Sequence, residues 1–468
     1  MSTNERPVVE TESGSVRGVV EGAVAAFRGV PYAASPVGVR RFAAPAPHPG
    51  WPGVRDAARP GPAVPQDPSR LEAVMGTRVP DWAEDGSLTV NVWAPRGAQD
   101  RPVLVWFHGG GFTSGSGGWS WYDGGRLAAA GDVVVVTANY RLGPLGYLHL
   151  PEEGVENLGV RDQAAVLGWV RRNIAAFGGD PRGLTVGGQS AGAFSALYLA
   201  LDPLTGPLVD RVITQSGPWG LAPQDPGEAA ERSRRLLALL GVTGAAALRE
   251  VPADRLLAAY RELAGELSRA GDVAPPLYPV LGGFGVPERW ERAVAAGRLD
   301  GKALLTGTTE DEMTAFFAFD PRVRALTFEQ ARALAGDRAG RFDQLAAAGP
   351  AAALTGVATE RFFRDGTTAI ADHHAAAGHP AYVYQFDRSP DPDPQRLGAA
   401  HCAELPFFFD TLDAYPDSPM LGAPSPAARE LARTFSRAAA SFTATGRPEA
   451  PDWQPYRPGD QLTVRHFG

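Results

Sequence analysis

Cysteine is nearly missing. Cys402 is the only one in 468 residues, so no disulfide can close within the chain, and thiol content gives no support to an oxidising compartment. Lysine is as scarce, with Lys302 alone, so arginine carries almost all the positive charge. Beside the abundance of alanine, glycine and proline, this reads as a coding bias with no functional content. No run approaches the roughly 18 apolar residues of a membrane span, no asparagine opens an N-x-Ser/Thr sequon, and residues 1–7 lack the apolar core of a signal peptide. Positive charge is also in deficit. A net charge of −8 and a pI near 5.6 argue against nucleic acid or an anionic membrane surface as partner. Repeats, heptads and low-complexity tracts are absent. A soluble, cytoplasmic protein is expected, as a monomer, with a small molecule as its partner.

What is present is a large supply of core, 44% hydrophobic, with the rhythm of an α/β protein. Short apolar strands are predicted at 88–93, 103–107, 133–139 and 184–188. Val133-Val134-Val135-Val136 is apolar without alternation, as a central strand covered on both faces requires. A helix is predicted over 162–177, with Gly178-Gly179 ending it and Asp180-Pro181 starting a turn. Strands return at 303–307 and 381–386. Helical text near 225–275 and 322–378 reads as insertions between sheet strands, of the kind that roof a pocket. The whole chain, 1–468, is expected to form one catalytic domain.

Gly188-Gln189-Ser190-Ala191-Gly192 carries the chemistry, because it joins an apolar strand to the helical text from Ala193 onward. Serine on so tight a turn is forced toward positive φ, and small flanking residues prevent strand and helix from colliding. The N–H of Ala191 then points where an oxyanion can form, at the positive end of a helix. Serine needs a base, usually histidine oriented by a carboxylate. His401 is the best candidate. It follows the flexible-looking stretch 396–400, whereas His373 and His374 fall in a helix and His48 and His379 beside prolines. The acid belongs between serine and histidine, where Glu310, Asp311 and Glu312 follow a strand; the residues alone do not rank them. His108-Gly109-Gly110-Gly111-Phe112 follows another strand, and its glycines let backbone N–H groups approach a substrate oxygen. A phosphate loop would carry Lys-Ser/Thr next, and Phe112-Thr113 stands there instead.

Together these residues resemble the type-B carboxylesterase and cholinesterase-like family of α/β-hydrolases, most closely its bacterial para-nitrobenzyl esterases. The resemblance runs from Phe27-Arg28-Gly29-Val30-Pro31-Tyr32 through Asn139-Tyr140-Arg141-Leu142-Gly143 and Asp162-Gln163 to the histidine segment. It implies an α/β-hydrolase fold with a mostly parallel sheet, flanking helices and helical insertions over the site. Its Gly-x-x-x-Asp-Glu pattern, met by Gly307, Asp311 and Glu312, implies that Glu312 is the acid. It also implies oxyanion donors at Gly110, Gly111 and Ala191, and a serine, Ser216, supporting the acid. There are departures. Gln189 replaces the usual glutamate, which in the family communicates with the position of Glu404, so a less anionic pocket is expected. Met313 replaces a usual glycine. Val64 and Gly86 stand where many relatives have a disulfide.

The resemblance thus implies a serine carboxylic-ester hydrolase using Ser190, Glu312 and His401, with no metal or organic cofactor. Trp119, Trp121, Tyr122 and Trp219 are candidates for an apolar substrate pocket. Two rivals remain: an amide, carbamate or lactone hydrolase on the same residues, and a non-catalytic binding protein on this fold.

Overall fold

A computed structural model describes residues 6–77, 81–414, 416–450 and 452–468; Met1–Glu5 lie outside these. Its centre is a ten-stranded sheet. From one edge the strands run Val464–Phe467, Ala381–Phe386, Ala303–Thr309, Val209–Gln215, Gly179–Gln189, Arg101–Phe107 and Val134–Ala138, all parallel to their neighbours. Thr89–Pro95, Val24–Pro31 and Val19–Glu21 complete it with antiparallel pairings. A small separate sheet joins Val8–Thr11, Gly14–Arg17 and Val54–Asp56.

Period-two alternation builds two cores from one sheet. Val103, Val105 and Phe107 enter one buried cluster, while Leu104 and Trp106 of the same strand enter the other. Val133 to Val136 are wholly buried, as their unbroken apolar run predicts. Long helices cover both faces. The helix Pro426–Thr445 starts where Ser425 Oγ accepts from Ala428 N at 3.1 Å, and it ends at Gly446 with φ +75°.

Strand limits shift by a few residues from the sequence reading, and two differences are larger. The helix begins earlier, at Leu158, and runs to Asn173 before a tighter turn through Phe177. Asp180-Pro181 does not start a turn, since both lie inside the strand Gly179–Gln189. That strand already pairs at Gly179 with Arg101, and its register slips between Arg101 and Val103. The irregularity accommodates a proline that a regular ladder would reject.

Of the helical blocks, the first contains Pro226–Leu240, Gly244–Leu248 and Ala253–Leu267. Asp225 caps its opening helix by accepting from the N–H groups of Gly227 and Glu228 at 2.8 and 3.1 Å. Arg41 ties the block to the body, its guanidinium donating to the Leu248, Arg249 and Val251 carbonyls. The second block builds a small core of its own around Phe317, Phe342 and Leu354.

The strand Arg101–Phe107 lies between Gly179–Gln189 and Val134–Ala138. Chain order therefore reverses beside it, and such a switch point opens a crevice at the carboxyl ends of the strands.

Candidate active site

Ser190 sits in that crevice with φ +57° and ψ −122°. Such a conformation costs on the order of 1–3 kcal/mol and persists only when neighbours hold it. Here Ser190 N donates to Gln215 O at 2.8 Å, and Phe194 N donates to Ser190 O at 3.0 Å. A Cβ on Gly192 would stand 2.0 Å from the Phe107 carbonyl oxygen, so only glycine lets the helix start so close to the sheet.

Glu312 and His401 arrive from adjacent parallel strands, Ala303–Thr309 and Ala381–Phe386. Glu312 is fully buried; its Oε1 accepts from Thr309 N at 2.9 Å, and its Oε2 lies 2.5 Å from His401 Nδ1. The three acids left open by the sequence separate cleanly. Glu310 is exposed, Glu312 meets the imidazole, and Asp311 has a third task. Asp311 N donates to Ala399 O at 2.9 Å, and Asp311 Oδ2 accepts from Ala399 N at 3.0 Å. Asp393 adds bonds to the N–H groups of Leu397 and Gly398, both at 2.8 Å. The stretch before His401 is therefore not a flexible loop but a clamped one, with Leu397, Ala399 and Ala400 buried. Met313, the departure from glycine, anchors the acid loop to the second helical block. Its N–H donates to Thr359 Oγ1 at 3.1 Å while its side chain fills that block's core.

Gly110 and Gly111 have φ of +108° and +59°. A Cβ on Gly110 would stand 2.0 Å from Ser114 O, so this turn excludes every side chain. The Gly110 carbonyl accepts from the N–H groups of Thr113 and Ser114, which commits it to the turn. His108 is buried against Tyr140, with ring centres 4.5 Å apart, and burial pushes its pKa down to about 4. It is a neutral strut of the loop at pH 7.

The residues behind the site differ from what the resemblance implies. Ser216 does not support Glu312; its hydroxyl donates to Glu404 Oε1 at 3.2 Å. Gln189 reaches not Glu404 but the imidazole, its Nε2 lying 3.2 Å from His401 Nε2 and 3.3 Å from Cys402 Sγ. Glu404 is fully buried, and its second oxygen has no partner among the described residues. Burial, then the nearby charge of Glu312, pushes its pKa up to about 8. At neutral pH Glu404 therefore favours its protonated form.

Ser190, His401, Gln189 and the glycine loop line a narrow slot of about 20 Å³, walled further by Ser69, Arg70, Leu71, Met75, Trp119, Tyr122 and Phe316. Of the four aromatics expected there, Trp119 and Tyr122 take part. Trp121 and Trp219 do not line it; both pack in the hydrophobic core away from the slot, Trp219 with its indole N–H on Thr367 Oγ1. Sequence reasoning missed Phe316 and Phe363, whose ring centres lie 5.2 and 4.9 Å from the imidazole. It also missed Arg70. A larger cleft of about 990 Å³ lies behind the acid loop and contains none of Ser190, Glu312 and His401. No helix among the described residues is long and apolar enough to cross a membrane.

The family whose sequence pattern matches is described as the carboxylesterase family, over residues 5–339 and 343–466. The chain is similar to the para-nitrobenzyl esterase of Bacillus subtilis, 37% identical, with 98% of this chain and 94% of that protein covered. It is similar, at 35% identity and the same two coverages, to the phenmedipham hydrolase of Pseudarthrobacter oxydans. A solved thermophilic para-nitrobenzyl esterase superposes with a TM-score of 0.85 at 34% identity, covering 97% of this chain and 94% of that one.

Proposed function

The chain belongs to the carboxylesterase family and is a carboxylesterase of α/β-hydrolase fold; from that premise we propose that its reaction runs through an acyl-enzyme on Ser190. The His401 Nδ1 contact to Glu312 Oε2 at 2.5 Å is the observation that carries this reading. Glu312 holds the proton on Nδ1, so Nε2 keeps the lone pair that acts as base. In the resting arrangement the Gln189 amide faces that nitrogen. Ser190 Oγ takes the same position as it attacks the ester carbonyl, and the proton passes to Nε2. The N–H groups of Gly110, Gly111 and Ala191 receive the oxyanion, each donor contributing about 10²–10³ in rate. His401 then protonates the leaving alcohol, and the same imidazole activates water to release the acid.

The substrates are small to medium, largely apolar or aromatic esters, matching a slot walled by Leu71, Met75, Trp119 and Phe316. The enzyme acts as one cytoplasmic catalytic domain, without metal or organic cofactor. Ser190→Ala tests the reading: hydrolysis of short-chain aryl esters is expected to fall at least about 10⁴-fold, with the thermal unfolding midpoint kept. Turnover of a matched ester and amide pair separates this reading from an amide hydrolase on the same residues.

A further inference from the structure

Resting on that reading, we propose that Arg70 is a specificity residue that selects esters bearing a carboxylate on the part of the substrate lying beyond the slot. Arg70 lines the catalytic slot and also a neighbouring cavity of about 290 Å³, shared with Asp67, Leu257, Tyr260, Arg261 and Asp272. Its side chain is solvent-exposed, yet a large mass of protein lies around it. Desolvation by that surrounding mass holds its pKa below the ordinary arginine value. A guanidinium has five N–H donors. Among the described residues only one hydrogen bond uses them, from Nη1 to Val273 O at 2.6 Å. It forms no ion pair there, although Asp272 and Tyr260 lie near enough to favour its charge.

The other arginines of that cavity are committed. Arg261 pairs with Asp67, and Arg232 with Glu228. Arg70 is the uncommitted one, and its free Nη2 is aimed at the chemistry. A Cβ on Gly111 would stand 3.1 Å from Nη2, so the guanidinium borders the oxyanion loop. Its carbon lies 5.4 Å from the centre of the Phe316 ring, which in turn faces His401. One aromatic ring thus separates the cation from the imidazole.

The slot itself agrees in sign, and of the two carboxylates in the cavity beyond it Asp67 is paired with Arg261 while Asp272 accepts from Ala274 N at 2.9 Å. No acidic side chain lines the slot; Gln189 is neutral, and Glu404 behind it favours its protonated form. A partly desolvated cation with free donors binds a carboxylate through charge-assisted hydrogen bonds, bidentate where geometry allows. The net charge of −8 does not cancel this, since distant charges are screened beyond about 10 Å.

The test uses two matched pairs, one for each side of the ester. On the acyl side, mono-4-nitrophenyl glutarate is compared with 4-nitrophenyl pentanoate, a neutral chain of equal length. On the alcohol side, 4-acetoxybenzoate is compared with 4-acetoxybenzamide. The parent enzyme is expected to favour the anionic member of at least one pair in kcat/KM. Arg70→Gln is expected to lose about 10- to 100-fold on that member, mainly through KM, while its neutral mate stays within about 3-fold. Arg70→Lys is expected to restore part of the loss. A parent that favours the neutral member of both pairs, or an Arg70→Gln variant that loses equally on both members, overturns the assignment. Continued hydrolysis of the neutral esters in those cases leaves the Ser190 reading standing.

Discussion

The carboxyl ends of the sheet strands and the side chains that roof them are built by opposite rules. At the strand ends, Ser190, Glu312 and His401 are nearly or wholly buried, and neighbouring backbone fixes each one. In the roof, Trp119 is half-buried and Arg70 exposed, and short helices such as Thr314–Phe317 present their rings from one or two turns. Precision of position lies in the sheet, where a displacement of about 1 Å costs roughly a hundredfold in rate. Discrimination lies in the roof, where a side chain changes without disturbing the strands. Chemistry and selectivity therefore occupy separable parts of the fold.

Strand-end changes test this division most strongly. Glu312→Gln keeps the shape but not the charge that holds the imidazole tautomer, so kcat is expected to fall about 10⁴-fold for every ester. A loss confined to one substrate class would blur the division. Asp311→Ala leaves the three reacting side chains in place and removes only the clamp on the histidine segment. Its kcat/KM is expected to fall about 10²-fold across an ester panel, with thermal unfolding checked alongside. Unchanged kinetics would show that the segment is held without Asp311. Trp119→Ala belongs to the roof. It is expected to shift acyl-chain preference toward longer chains by roughly tenfold while acetyl ester turnover stays near the parent's.

A further prediction concerns stability instead of rate. Glu404 keeps its proton to about pH 8 in the fold, whereas the unfolded chain releases it near the ordinary carboxylate value of 4.5. Between those values unfolding releases a proton, so Glu404 lowers stability as pH rises, by up to ~1.4 kcal/mol per pH unit. Its contribution is complete below pH 4.5 and gone above pH 8. Glu404→Gln removes that slope. Denaturant midpoints measured from pH 5 to 8 are expected to decline less in the variant than in the parent, and parallel declines would contradict the assignment.

The same division governs what could be read from the residues. The elbow and the glycine loop were legible because their backbone demands leave few residue choices, as the +57° φ of Ser190 and the blocked Cβ of Gly110 make plain. The acid was not legible from residue types alone. Glu310, Asp311 and Glu312 are alike as residue types; the resemblance pointed to Glu312, and in the fold its carboxylate is held by Thr309 N against His401 while that of Asp311 turns to Ala399. The Asp311 clamp depends on a partner 88 residues away, for which no local pattern exists. Trp121 and Tyr122 are adjacent in one turn and both pack in the core, yet only Tyr122 also borders the slot. Position along the chain does not tell which way a ring faces. Arg70 lay in a stretch with no periodicity at all, and its place beside Gly111 emerges only when distant loops meet.

The central claim is that one hydroxyl forms the covalent intermediate. Treatment with a fluorophosphonate, followed by peptide mass spectrometry, tests it directly. One adduct per chain is expected, on Ser190, with ester hydrolysis lost in proportion to labelling. An unlabelled Ser190 in enzyme that the reagent has fully inactivated would contradict that claim.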